Sequence, residues 1–255
     1  ATTMKSDNMA LSAVSDALGL GASKVDTAYA GMDAAIDVVK EIKAKLVTAT
    51  EEGVDKAKVQ EEISQLQEQL MSIAESAAFS GENWIAGDAA DVTVVSGFVR
   101  DANNAVSVKT TTYTLDDAAD GTLLFGGDGA GGIDDTTGVL GTAGGATIGV
   151  SVYELDISTF DGTEMAEALT LVDEALASMT SAAAELGSIS TRIELQEDFV
   201  GSLSDSLDSG IGRLVDADMN EESTRLKALQ TQQQLAIQSL SIANSSSEVI
   251  LSLFR

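Results

Sequence analysis

The chain has 255 residues, 44% of them hydrophobic, enough to bury a sizeable core in more than one domain. Its 14 Lys and Arg stand against 41 Asp and Glu, and the formal net charge of -27 at pH 7 disfavours nucleic acid or anionic membranes as partners. Cys, His and Pro are absent, which excludes disulfides, thiolate or imidazole chemistry and an ordinary zinc site, and leaves any acid or base work to carboxylates, Lys or Tyr.

No apolar run reaches the roughly 18 residues of a membrane span, and no signal peptide is recognisable. The chain opens at Ala1 in mid-pattern and without an initiator Met, so it reads as a fragment whose natural N-terminus lies upstream. Apolar residues then recur every seven positions at Leu11, Leu18, Val25, Met32, Val39 and Leu46, with Val14, Ala28, Ala35 and Ile42 interleaved and Gly21 interrupting. Six repeats of this kind predict a long helix with a coiled-coil seam. Gly53 marks a break. A second helix is expected from about Asp55, with Val59, Leu66 and Ile73 as one row and Ile63, Leu70 and Ala77 as the other. The short connection predicts an antiparallel pair.

Between Trp84 and Gly162 glycine clusters, Thr and Val replace Gln and Leu, and the period falls to two. Val92 with Val94, Val106 with Val108, Tyr113 with Leu115, and Ile148, Val150 and Val152 read as short strands, with a hairpin turn at Asn103-Asn104. The expectation is a small β-rich domain inserted into a helical rod, with Trp84 and Phe79 plugging the junction. Asp128, Asp134 and Asp135 share the glycine-rich loop "GGDGAGGIDD", where oxygen ligands for calcium are conceivable, but the spacing matches neither an EF-hand nor a calcium-binding nonapeptide, and a solvated turn is the simpler reading. Adjacent carboxylates such as Asp116 and Asp117 invite comparison with glycosidases, yet in a chain this acidic such pairs arise by chance. No cofactor, metal or catalytic residue is expected.

The third helical seam runs through Val172, Met179, Leu186, Ile193, Val200, Leu207 and Leu214, flanked by Leu169, Leu176, Ala183, Ile189 and Leu203. A heptad sustained this far favours packing along near-parallel axes. Gly201, Gly210 and Gly212 weaken its distal end and suggest a hinge. The final seam consists of Leu226, Leu229, Ala236, Leu240, Ala243, Ile250 and Phe254, interrupted by Gln233 and Ser247. Such a helix is marginal unless its apolar face is covered, and nothing else in the chain is an obvious partner. Other copies of the protein, or residues upstream of Ala1, are the natural candidates. The predicted fold is therefore mainly α with a β-rich insertion. Its expected parts are rod helices over 1–86, an outer domain over 87–162, a returning rod helix over 163–214 and a C-terminal helix over 215–255.

The opening "ATTMKSDNMALSAVSDALGLGASKVDTAYAGMDAAIDVVKEIKAKL" and the closing "RLVDADMNEESTRLKALQTQQQLAIQSLSIANSSSEVILSLFR" closely resemble the arms of bacterial flagellins, particularly the alphaproteobacterial, rhizobium-like type. The resemblance covers about Ala1 to Gly87 and Gly162 to Arg255 and excludes the glycine-rich centre, which corresponds to the family's variable outer domain. It implies a secreted structural subunit without catalysis that polymerises with other flagellin subunits into the motility filament. It places Leu226, Leu229, Ala236, Leu240, Ala243, Ile250 and Phe254 in the filament core and the three heptad helices in the surrounding rod. It further implies a family helix upstream of "ATTM", export unfolded through the flagellar secretion channel, and encounters with an export chaperone, cap and hook-junction proteins. The segment "EIKAKLVTA", Glu41 to Ala49, stands where enterobacterial flagellins read roughly "QRVRELAVQ", the stretch seen by the vertebrate innate flagellin receptor. Without that arginine pattern, receptor activation in a reporter-cell assay should be weak or absent. A hook-filament junction protein and a cell-surface polysaccharide- or cation-binding module are the competing readings.

Overall fold

The computed structural model describes the backbone of residues 2–100 and 106–253, and side chains over 4–99, 107–215 and 219–244. In chain order the elements are α1 (Thr2–Ala49), α2 (Lys56–Ser76), β1 (Ala78–Phe79), β2 (Glu82–Asn83), β3 (Ala86–Gly87), β4 (Ala90–Arg100), β5 (Val106–Leu115), β6 (Phe125–Gly127), β7 (Ile133–Asp134), α3 (Gly138–Gly141) and α4 (Gly162–Leu253). The fold is mainly α with a small β-rich insertion, as expected. The chain divides into two compact units, Leu11–Gly201 and a smaller one made of Ala1–Ala10 with Ser202–Arg255.

In the larger unit the heptads set the packing. Leu11, Leu18, Val25, Met32, Val39 and Leu46 of α1 are buried, as are Val172, Met179, Leu186, Ile193 and Val200 of α4. Contacts step down α4 as they step up α1. Ser190 donates to Asp26 at 2.7 Å, Gly187 lies against the Tyr29 ring, and Lys43 pairs with Asp173 at 2.5 Å, so the two helices run antiparallel. Ile63, Leu66, Leu70 and Ala74 of α2 complete the helical core.

Local sequence explains where the helices begin. The Asp55 carboxylate accepts from the Ala57 N–H at 3.2 Å and caps α2. Before α4, Asp161 accepts from the N–H groups of Thr163 and Glu164, while the Glu164 carboxylate accepts from the Asp161 N–H at 2.8 Å. This reciprocal pair satisfies donors that would otherwise be orphaned in the first turn. Gly53 closes the α1–α2 connection at a positive φ of 89°. Gly21 does not interrupt α1: the helix continues, and the missing side chain lets Val94 of β4 approach. Gly201, Gly210 and Gly212 likewise lie within α4, which runs without a break across the expected hinge.

The insertion is built on the long β4–β5 hairpin, antiparallel with a bulge between Val95 and Gly97. Its expected turn at Asn103-Asn104 lies outside the described residues. β3 pairs parallel with β6, which pairs antiparallel with β7, and β1 pairs with β2. Trp84 is buried and stacks on Tyr113 with ring centroids 6.2 Å apart, and its indole N–H donates to Glu82, whose carboxylate holds Lys24 of α1 at 2.8 Å. Phe79 is half-buried.

The last expected strand is not one. Ile148, Val150 and Val152 form a single bridge, Gly144 to Val150, within a loop that has positive φ at Gly145 and Gly149. Side chains from the helices take the place of a β partner. The buried Gln67 amide donates to the Val152 and Leu155 carbonyls at 3.0 Å, and Gln60, one heptad earlier on α2, donates to Leu155 and accepts from the Ile157 N–H. A backbone satisfied this way has no need of a ladder.

Candidate functional site

The smaller unit carries the residues that the sequence singles out for self-assembly. Near the start of α1, the Asn8 amide donates to Asp208 at 2.5 Å and its oxygen accepts from Ser204 at 2.6 Å. Leu207 is half-buried and Leu214 is 47% exposed, although both continue the heptad phase that is buried through Val200. Beyond them Leu226, Leu229 and Leu240 are 58%, 55% and 67% exposed, and Ala236 and Ala243 are exposed too. Ile250 and Phe254 lie outside the residues whose side chains are described.

The final segment of α4 also exposes apolar side chains that the seam omits. Met219, Leu235, Ile237 and Ile242 are all exposed. At about 100° per residue, Leu235 lies roughly half a turn around the helix from Leu226, and Ile242 continues it one heptad later. Met219 and Ile237 instead widen the seam. The segment therefore carries apolar surface on two sides. The seven-residue spacing from Leu235 to Ile242 is the sequence signal for this second stripe. Its polar complement is neutral, with Gln230, Gln232, Gln233, Gln234 and Gln238 in place of charges. A helix with few charges can be desolvated without burying unpaired ions.

The carboxylates considered for chemistry serve the local backbone. Asp128 accepts from the N–H groups of Ala130 and Gly132 at 2.8 Å, which holds its carboxyl below the usual range, and Asp134 is lowered likewise by the hydroxyl and N–H of Thr136. Asp116 accepts from the Ala118 N–H at 3.0 Å. Such bonds shape turns. Burial pushes the Tyr113 hydroxyl up to about 12. No described helix is long and apolar enough to cross a membrane.

Glu167 of α4 is the carboxylate with the most structural consequence. It accepts from the successive N–H groups of Ala146, Thr147 and Ile148, with Thr147 at 3.0 and 3.1 Å and Ile148 at 3.2 Å, and these bonds, chiefly that of Thr147, lower its pKa from the ordinary 4.5. A lowered folded-state pKa means that the clasp stabilises the loop above the ordinary glutamate range and is lost as pH falls through the folded value. The Thr147 amide signal in NMR should therefore titrate with a midpoint below 4.5, and Glu167→Gln should remove that titration.

Comparison with known proteins finds matches at both ends of the chain. Residues 1–90 match the bacterial flagellin N-terminal helical region, and residues 169–254 match the bacterial flagellin C-terminal helical region. Flagellin A of Rhizobium meliloti (strain 1021) is 51% identical, the alignment covering 100% of this chain and 88% of that one. Flagellin C of the same strain is also 51% identical over 100% and 84%, and the flagellin of Brucella melitensis biotype 1 is 42% identical over 100% and 82%. The crystal structure of Bacillus cereus flagellin superposes with a TM-score of 0.47 at 16% identity, covering 71% of this chain and 86% of that one. With both helical arms matched and its whole length aligned to flagellins, the chain belongs to the bacterial flagellin family, the structural subunits that polymerise into the extracellular motility filament.

Proposed function

We propose that the C-terminal part of α4 is the surface through which this flagellin joins the filament core, with Leu226, Leu229, Ala236, Leu240, Ala243, Ile250 and Phe254 as its principal seam. The observation that carries the reading is the exposure of large apolar side chains on two sides of one nearly uncharged helical segment. Burying such a surface is the dominant favourable term in association. In this reading residues 215–255 form the core helix, residues 1–86 and 163–214 form the rod, and residues 87–162 face solvent. The buried seam of Leu11, Leu18, Val25, Met32, Val39 and Leu46 with Val172, Met179, Leu186, Ile193 and Val200 then holds the rod together and carries no chemistry, whereas Leu207 and Leu214, which continue its phase, are half-buried and exposed.

The remaining partners follow from the same reading. A chain without disulfides suits passage in unfolded form through the flagellar export apparatus, with an export chaperone, the filament cap and hook-junction proteins as successive partners. The test of the core assignment uses Leu229→Cys in the full-length subunit, where the new thiol is unique among these 255 residues. A maleimide should label it readily in the monomer and not in the filament. Equal labelling in both states would remove the seam from the core.

A further inference from the structure

Helix α4 also carries an apolar stripe in the larger unit that its own fold leaves uncovered. Ile193 and Val200 on the heptad seam are buried, whereas Leu195 and Phe199 are 63% and 54% exposed. Four residues apart on one helix, these two side chains are neighbours and make one patch. A helix that packs along a single seam has no use for large apolar residues at both positions, and a contiguous exposed patch marks an interaction surface. Arg192, three residues before Leu195, is exposed and has no ion-pair partner among the described residues.

A recess of matching character lies on the same unit. Thr27, Ala30 and Gly31 of α1, with Ile73 and Ser76 of α2 and Ala77 just after it, line a shallow, mainly apolar groove of about 540 Å³, and Asp26 lines it as well. Patch and groove share no residue. A subunit that builds an open filament needs two different, complementary surfaces, because a patch that pairs only with itself closes into a dimer. One of these surfaces protrudes and carries a cation, and the other is recessed and carries a carboxylate.

We propose that Leu195 and Phe199 of one subunit seat in the α1–α2 groove of a second copy, with Arg192 pairing with Asp26. Asp26 accepts from Ser190 of its own chain through Oδ1 at 2.7 Å, and in the proposed contact the same carboxylate would also receive the incoming guanidinium. This contact is separate from the C-terminal seam and joins folded units to one another.

The absence of native cysteine makes the test direct. Full-length subunits carrying Ala30→Cys and Phe199→Cys together are polymerised and treated with a short bis-maleimide. A covalent ladder of multimers is expected, and each single substitution should give none. In parallel, Leu195→Ser with Phe199→Ser should raise the critical concentration for assembly by at least about tenfold without changing the melting temperature of the monomer. Arg192→Glu and Asp26→Lys should each weaken assembly and together restore it. Filaments that form at an unchanged critical concentration, with no ladder, would overturn the proposal. Seam variants that fail to polymerise while the ladder persists in unsubstituted seams would leave this contact standing beside the core helix.

Discussion

A full-length subunit carrying Leu229→Ser and Leu240→Ser is expected to remain monomeric under conditions in which the unsubstituted subunit forms filaments. Both leucines are more than half exposed in the folded chain, so their replacement removes nothing from the subunit's own core. Surface changes of this kind usually leave stability within about 0.5 kcal/mol. In a filament the same side chains would be buried, and each is worth about 1.5–3 kcal/mol when fully removed from water. Losing two raises the critical concentration by roughly two to four orders of magnitude, since every 1.4 kcal/mol is about tenfold. Sedimentation and negative-stain microscopy across a concentration series read this directly. Normal filaments at the usual concentration would show that the exposed leucines are not what joins subunits. The control is the melting curve of the monomer, which should not move.

Replacing Gly31 by Val is expected to destabilise the larger unit by about 1–3 kcal/mol, the usual range for overpacking a core. A Cβ at Gly31 would stand 2.7 Å from the Cβ of Ala77 and 2.9 Å from Cδ1 of Ile85. The Ala77 carbon cannot rotate away, and Ile85 is fully buried, so the end of α2 or the start of the insertion must shift. Gly31→Ala should be milder, because relief of the glycine penalty in a helix returns about 1 kcal/mol. Val adds two further methyl groups and has a weaker helix propensity than Ala. Urea denaturation of the three proteins should rank them Gly, then Ala, then Val in falling stability. A Val variant as stable as the parent would mean that α2 can retreat freely from α1.

The sequence was most informative where one physical cause acts locally. A seven-residue apolar repeat identifies the helix face that water is driven from, and every member from Leu11 to Leu46 and from Val172 to Val200 is buried. The change of period near Trp84 identified the insertion, and the positions of the β4–β5 hairpin were readable from alternating Val, Thr and Tyr. The same period could not say what covers a face. Leu207 and Leu214 keep the phase of Val200 yet are half-buried and exposed.

Other features had no signature of their own. Gly31 reads as an ordinary weak point in a helix until Ala77 and Ile85 are placed against it. The segment through Ile148, Val150 and Val152 alternates as a strand does, but Gln60, Gln67 and Glu167 satisfy its backbone from the helices instead. Leu195 and Phe199 look like more helix residues until the buried seam beside them shows that they face outward. By itself, then, the sequence determined the helices, their buried faces, the insertion and the family, because these follow from periodicity and from motifs contiguous in the chain. Only the tertiary structure decided which glycines are contact points, which loop is clasped and which apolar side chains stay uncovered. Those depend on groups brought together from distant positions, and no local pattern encodes the distance between them.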